Sequence, residues 1–207
     1  ALGYVALSSN ATGVSNTAVG RAALFANTGS NNTGIGKEAL KLNTTASNNT
    51  AVGTSALLVN TTGTGQVAVG SEALISNTTG TINTAVGHNA LHDNTTGDGN
   101  VALGRNTLFN NETANHNVAV GYDAVFYNTT GANNVGVGHE ALYNNTTASN
   151  NTGVGKKALY ANTTGTDNVG IGYQALDDNT TGSQNTAVGL NCLSANTTAS
   201  YNTAMGR

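Results

Sequence analysis

Asn185-Thr186-Ala187-Val188-Gly189, followed by Leu190 to Leu193 and then by Asn196-Thr197-Thr198, is the clearest copy of a unit that recurs along the whole chain. Glycines mark its beat at Gly3, Gly20, Gly36, Gly53, Gly70, Gly87, Gly104, Gly121, Gly138, Gly155, Gly172, Gly189 and Gly206, a spacing of 17 residues with one step of 16. Twelve complete units fill the 207 residues. A fixed period of this length predicts stacked coils rather than a globule built around one core, and so a single array over residues 1–207.

Composition agrees with that reading. Only 8% of the residues are charged, proline and tryptophan are absent, and the formal net charge is −3. Disordered chains usually join low hydrophobicity to high net charge, which this one lacks. A weakly acidic chain also lacks the basic stripe that nucleic acid requires. Cys192 is the sole cysteine, so no intrachain disulfide framework exists. No run of about 18 apolar residues is present to cross a membrane.

Counted from its glycine, each unit places a small residue at position three and a large one at position four, as in Ala23-Leu24 and Ala175-Leu176. An asparagine follows near position seven, then Thr-Thr with Gly or Ala, as in Asn77-Thr78-Thr79-Gly80. The unit closes on Asn or Gln, Thr or Val, Ala or Gly, and an aliphatic residue, as in Asn168-Val169-Gly170-Ile171. Frequent Gly, Asn and Thr exclude a helix, and the pattern predicts two short strands and two turns per unit. The expected fold is all-β: a parallel β-solenoid of about twelve coils, a rod roughly 55 to 60 Å long at about 4.8 Å per coil.

Stacking aligns like with like. Val19, Ile35, Val52 and Val69 form one expected apolar core ladder and the leucines a second. The turn asparagines Asn43, Asn60, Asn77, Asn94 and Asn128 align, as do Asn145, Asn162, Asn179 and Asn196, and amide hydrogen bonds from coil to coil are expected. Neighbours on a strand face opposite ways, so a buried Val188 would turn Ala187 outward. That second site is only ever Ala or Gly: Ala18, Ala51, Ala85 and Ala119, then Gly136, Gly170 and Ala187 among others. On this reading those residues form a close-packed interface with another copy of the chain.

The run Asn-Thr-Ala-Val-Gly-x-x-Ala-Leu resembles the head repeats of YadA-type trimeric autotransporter adhesins and related phage tail-fibre proteins, over the whole chain. The unit here is longer, by its extended Asn-Thr-Thr-Gly turn. The resemblance implies a left-handed β-roll, a homotrimer, and an extracellular place on a cell or virion surface with a host receptor, matrix or glycan as partner. It makes an adhesive fibre segment the leading function. A self-stacking filament subunit without a receptor and an ice-binding solenoid with threonine ladders are the alternatives. Both ends fall at the same place in the unit, which leads us to expect a segment of a longer fibre continued end to end.

Chemistry-bearing residues are sparse. Gly136-Val137-Gly138-His139-Glu140-Ala141 looks like a loosened dinucleotide fingerprint, but it recurs with the repeat and no helix follows. His88 and His92 have zinc-helix spacing without a helix, and the Asp177-Asp178 and Lys156-Lys157 pairs read as solubility charges. Cys192 takes a small-residue place and reads as a buried thiol. The Asn-Thr-Thr triplets are formal N-glycosylation acceptors. The ten acids are scattered, so no catalytic residue, metal site or cofactor is expected and the chain reads as a non-enzyme. Phe109, Phe126, Tyr143 and Tyr160 break the pattern: four consecutive coils carry a ring at position five, a ladder about 14 Å long that can serve as an interface or a contact surface.

Overall fold

The computed structural model describes all of residues 1–207 as one parallel β-solenoid without a helix. Twelve three-residue strands, β1 (Thr17–Val19) to β12 (Thr203–Met205), form a single sheet in sequence order. The register pairs equivalent positions: Ala102 lies beside Ala119, and Leu103 beside Val120. Every strand therefore stacks on its own copy one unit away, which is why the period is so strictly kept.

Each coil holds one strand rather than the expected two. The Ala-Leu segment runs alongside its copies and bonds to them, with the Leu24 amide donating to the Ala39 carbonyl at 2.9 Å. Its backbone is not extended, however. Positions two and four after the glycine hold φ between 50° and 60°, as at Glu38 (60°) and Leu40 (53°). Left-handed residues interleaved with their neighbours curl this side into consecutive turns, so it closes the coil where a strand would have run on. The beat glycines sit at φ between 122° and 140°, a region L side chains rarely adopt, and a Cβ on Gly87 would lie 2.3 Å from the Gly104 carbonyl oxygen. Only glycine fits at that corner.

The sides of the strand are the reverse of the expectation. The middle residue is the buried one in eleven of the strands, so Ala18, Ala51, Ala85, Ala119, Gly136, Gly170 and Ala187 point into their own coil. Val19 is 36% exposed and Ile35 39%, whereas Ala119 is fully enclosed. The proposed alanine interface between chains is thus an interior surface, and the valine ladder is an outer one. Volume decides this. Leu24, Leu40, Leu57 and their successors as far as Leu176 fill the coil completely and are 0% exposed, each contributing about 2 kcal/mol by leaving water. Opposite them little room remains: a Cβ on Gly34, Gly153 or Gly170 would sit 3.2 Å from the Cγ of Leu24, Leu142 or Leu159. The one β-branched residue in that column, Val125, faces Gly136, where an added Cβ would meet its Cγ2 at 2.4 Å. Crowding by the chain's own leucines accounts for the Ala-or-Gly rule without a partner.

Candidate functional site

Two amide ladders run through the interior, the first beginning three residues after each core leucine. In the first, each Nδ2 donates to the Oδ1 of the preceding coil, from Asn27 on Asn10 (3.1 Å) through Asn43 on Asn27 (2.7 Å) to Asn196 on Asn179 (2.9 Å), without a break. The other Nδ2 hydrogen donates to a carbonyl three residues on, as from Asn128 to Gly131 at 2.9 Å. The expected turn ladder, Asn43 to Asn196, is therefore present. The one 16-residue unit omits a threonine in Asn27-Thr28-Gly29, and the ladder passes through it intact.

The second ladder escaped the sequence reading. It comprises Asn16, Asn32, Asn49, Gln66 and the amide just before every later strand. Each Oδ1 accepts from the backbone N–H of the next member, as Asn100 does from Asn117 at 2.9 Å. Its Nδ2 donates to the same turn carbonyl that the first ladder uses, as Asn117 does to Gly131 at 2.9 Å. The invariance of an amide at that position was the available signal. From Asn27 to Asn185 the amides of both ladders are at most 1% exposed, and satisfied amides of this kind fix register because an unpaired one is costly. The same burial closes the Asn-Thr-Thr acceptors in the folded chain. Asn43, for example, has both Nδ2 hydrogens engaged, by Asn27 and Ala46.

Outside, the first threonine of each turn is tied down, as Thr78 Oγ1 donates to the Thr95 carbonyl at 3.0 Å. The second, including Thr45, Thr79 and Thr147, is exposed. Phe109, Phe126, Tyr143 and Tyr160 stack with centroids 5.2 to 5.4 Å apart. The ladder is longer than expected, because His92 stacks on Phe109 at 4.6 Å and 6°. His92 sits at position five of its own unit, so the zinc-helix spacing to His88 was an accident of the repeat. Tyr127 lies edge-on to Phe126 and Tyr143, and Lys157 covers Tyr160, its Nζ 4.8 Å from the ring centre. Because each ring face is taken by its neighbour, the ladder presents ring edges outward. Desolvation, followed by the Tyr127 hydroxyl, pushes the Tyr143 phenol up to about 12. Lys157 also lies 3.4 Å from Glu140, so it is anchored rather than freely solvated. Asp177, next in the ladder column, is raised above the usual carboxylate range by desolvation and then by Asp178.

Cys192 is buried, its Sγ 3.3 Å from the Ala204 carbonyl oxygen. No three His, Cys, Asp or Glu side chains converge to hold a metal, the surface has no pocket, and no helix is long and apolar enough to cross a membrane.

The outer side of the sheet is a second organised surface. The residues flanking each buried middle residue form two columns: Thr17, Thr33, Thr50, Val67 and their successors, and Val19, Ile35, Val52, Val69 and theirs. Of these 24 residues, seven are threonine and the other 17 are Val, Ile, Leu or Met; none is charged. At about 4.8 Å per strand the columns run about 53 Å, and with a breadth of about 11 Å they cover roughly 600 Å². Comparison of the chain with protein-family models, with curated proteins and with solved structures finds no match.

Proposed function

We propose that the chain is a structural and adhesive segment of an extracellular fibre, in which copies of the chain bundle by burying the outer sheet face against one another. The observation that carries this reading is the uncharged two-column Val/Thr face, continuous over all twelve strands. Burying it removes a long apolar surface from water and needs no shape change, since the sheet is already held from behind by the leucine ladder. A trimer, as the resemblance to YadA-type heads implies, encloses three such faces around one axis. The exposed turn threonines and the aromatic ladder then remain outside as the surfaces that meet a receptor, matrix or glycan. The rod supplies reach and stiffness, and the chain works without a catalytic residue.

One observation favours a second reading on the same face. Thr17, Thr33, Thr50, Thr84, Thr152, Thr186 and Thr203 stand in one strand column, beside a parallel aliphatic column two residues away. Such a grid, spaced about 4.8 Å by 7 Å, suits ordered water, and a free face would bind ice. The two readings exclude each other, because a buried face meets no ice. Small-angle scattering of the purified chain, together with ice-growth measurement, separates them. Bundling predicts a mass per length of two or three chains and no thermal hysteresis. Single-chain rods that depress freezing overturn it in favour of ice binding.

A further inference from the structure

A repeated face poses a register problem: sliding one copy by one coil, about 4.8 Å, still sets valine on valine. Only residues that break the repeat can choose an offset. Charged residues stand on both margins of the outer face, and four of them lie close enough in height to pair between copies. On the margin after the strands, Arg105 follows β6 (Val101–Leu103) and Lys156 follows β9 (Thr152–Val154). Both are exposed, and neither has a carboxylate within 4.0 Å in its own chain. On the margin before the strands, Asp98 precedes β6 and Asp167 precedes β10 (Val169–Ile171), and neither has a cationic partner. Asp98 accepts from Thr81 and Asp167 from Asn150 through one carboxylate oxygen, Oδ1, leaving Oδ2 free of a side-chain bond. The margins are segregated: Arg21, Lys37, Arg105 and Lys156 all lie on the later one, which holds no acid at the same position, and the earlier one holds no lysine or arginine.

Resting on the face burial proposed above, we infer that Arg105 pairs with Asp98, and Lys156 with Asp167, of a neighbouring copy, and that these pairs set the copies parallel and in zero register. In any parallel arrangement about an axis along the rod, the strands of neighbouring copies follow head to tail, so a later margin meets an earlier one. Turning one copy upside down across the face brings the later margins together and opposes bases with bases. The offset follows from the climb of the coil. At about 4.8 Å per 17 residues, Asp98 lies about 2 Å below Arg105 and Asp167 about 3 Å above Lys156. A slide of one coil in either direction moves one of the two pairs to a height difference of about 7 Å or more. Zero offset alone keeps both within reach, and it is also the offset a closed ring requires.

Thiol cross-linking tests this in the intact chain carrying Cys192→Ala. The double variant Asp98→Cys/Arg105→Cys is compared with Asp98→Cys/Lys156→Cys, whose sites are about three coils, or roughly 16 Å, apart in height. Mild oxidation should give covalent oligomers from the first at least tenfold faster than from the second, with light scattering showing both associated beforehand. Equal rates in associated protein overturn the pairing and leave face burial standing. A single chain in solution overturns face burial and the pairing with it.

Discussion

The two sides of one three-residue strand follow opposite rules. Inward, Ala102 and Ala119 admit a methyl group at most, because leucines of the same chain fill the coil against them. Outward, Val101 and Leu103 or Val118 and Val120 vary in size and branching but never carry charge. Small residues thus record crowding, and here the crowd is the chain's own core. The absence of charge on the larger residues is what the proposed burial of this face rests on. A partner is to be sought where side chains are apolar and still exposed, not where they are small.

The widest gap between the two sides should appear in Ala119→Leu against Val120→Ala. Three further carbons at a fully enclosed site cost about 3 kcal/mol or more, enough to unfold several coils. Val120→Ala removes only half-exposed methyls and should change the stability of a single chain by less than about 1 kcal/mol. Urea unfolding of both variants checks the difference, and an unchanged midpoint for Ala119→Leu would reverse the assignment of inside and outside.

A smaller effect is expected across the turn. Asn94 donates to Asn77 and to the Gly97 carbonyl, and accepts from Asn111. Asn94→Leu leaves these partners buried and unpaired, at about 2 to 4 kcal/mol, whereas exposed Thr96→Leu on the same turn should be nearly neutral. Loss of amide-exchange protection in the neighbouring coils would accompany the first variant only.

The smallest expected effect has the opposite sign. Ile82 holds a φ of 57° at an exposed corner where Asn31, Asn48, Asn133 and Asn150 sit in other coils. A β-branched residue is strained there, so Ile82→Asn should raise stability by about 1 kcal/mol, seen as a higher thermal midpoint. A fall would show that the Ile82 side chain makes compensating contacts.

The period, the parallel stacking, the leucine column and the first asparagine ladder were all legible in the sequence, because each is a residue type repeated at one position. The sides of the strand were not. Alternation places Ala187 and Val188 oppositely but does not say which is inside; that depends on the volume left by Leu176 and its copies, a property of the closed coil. The second strand failed for a similar reason, since no residue pattern announces leucines held at φ between 51° and 56°. His92 was masked by a motif, although its position in the unit placed it on the aromatic ladder.

Light scattering of the native chain beside Val120→Asp/Val137→Asp tests the central claim most directly. Burial of the outer sheet face predicts two or three chains of 20.7 kDa for the native protein, and a single folded chain for the variant, whose carboxylates cannot be buried unpaired. A native protein that runs as one chain, with a mass unmoved by the two aspartates, would contradict it.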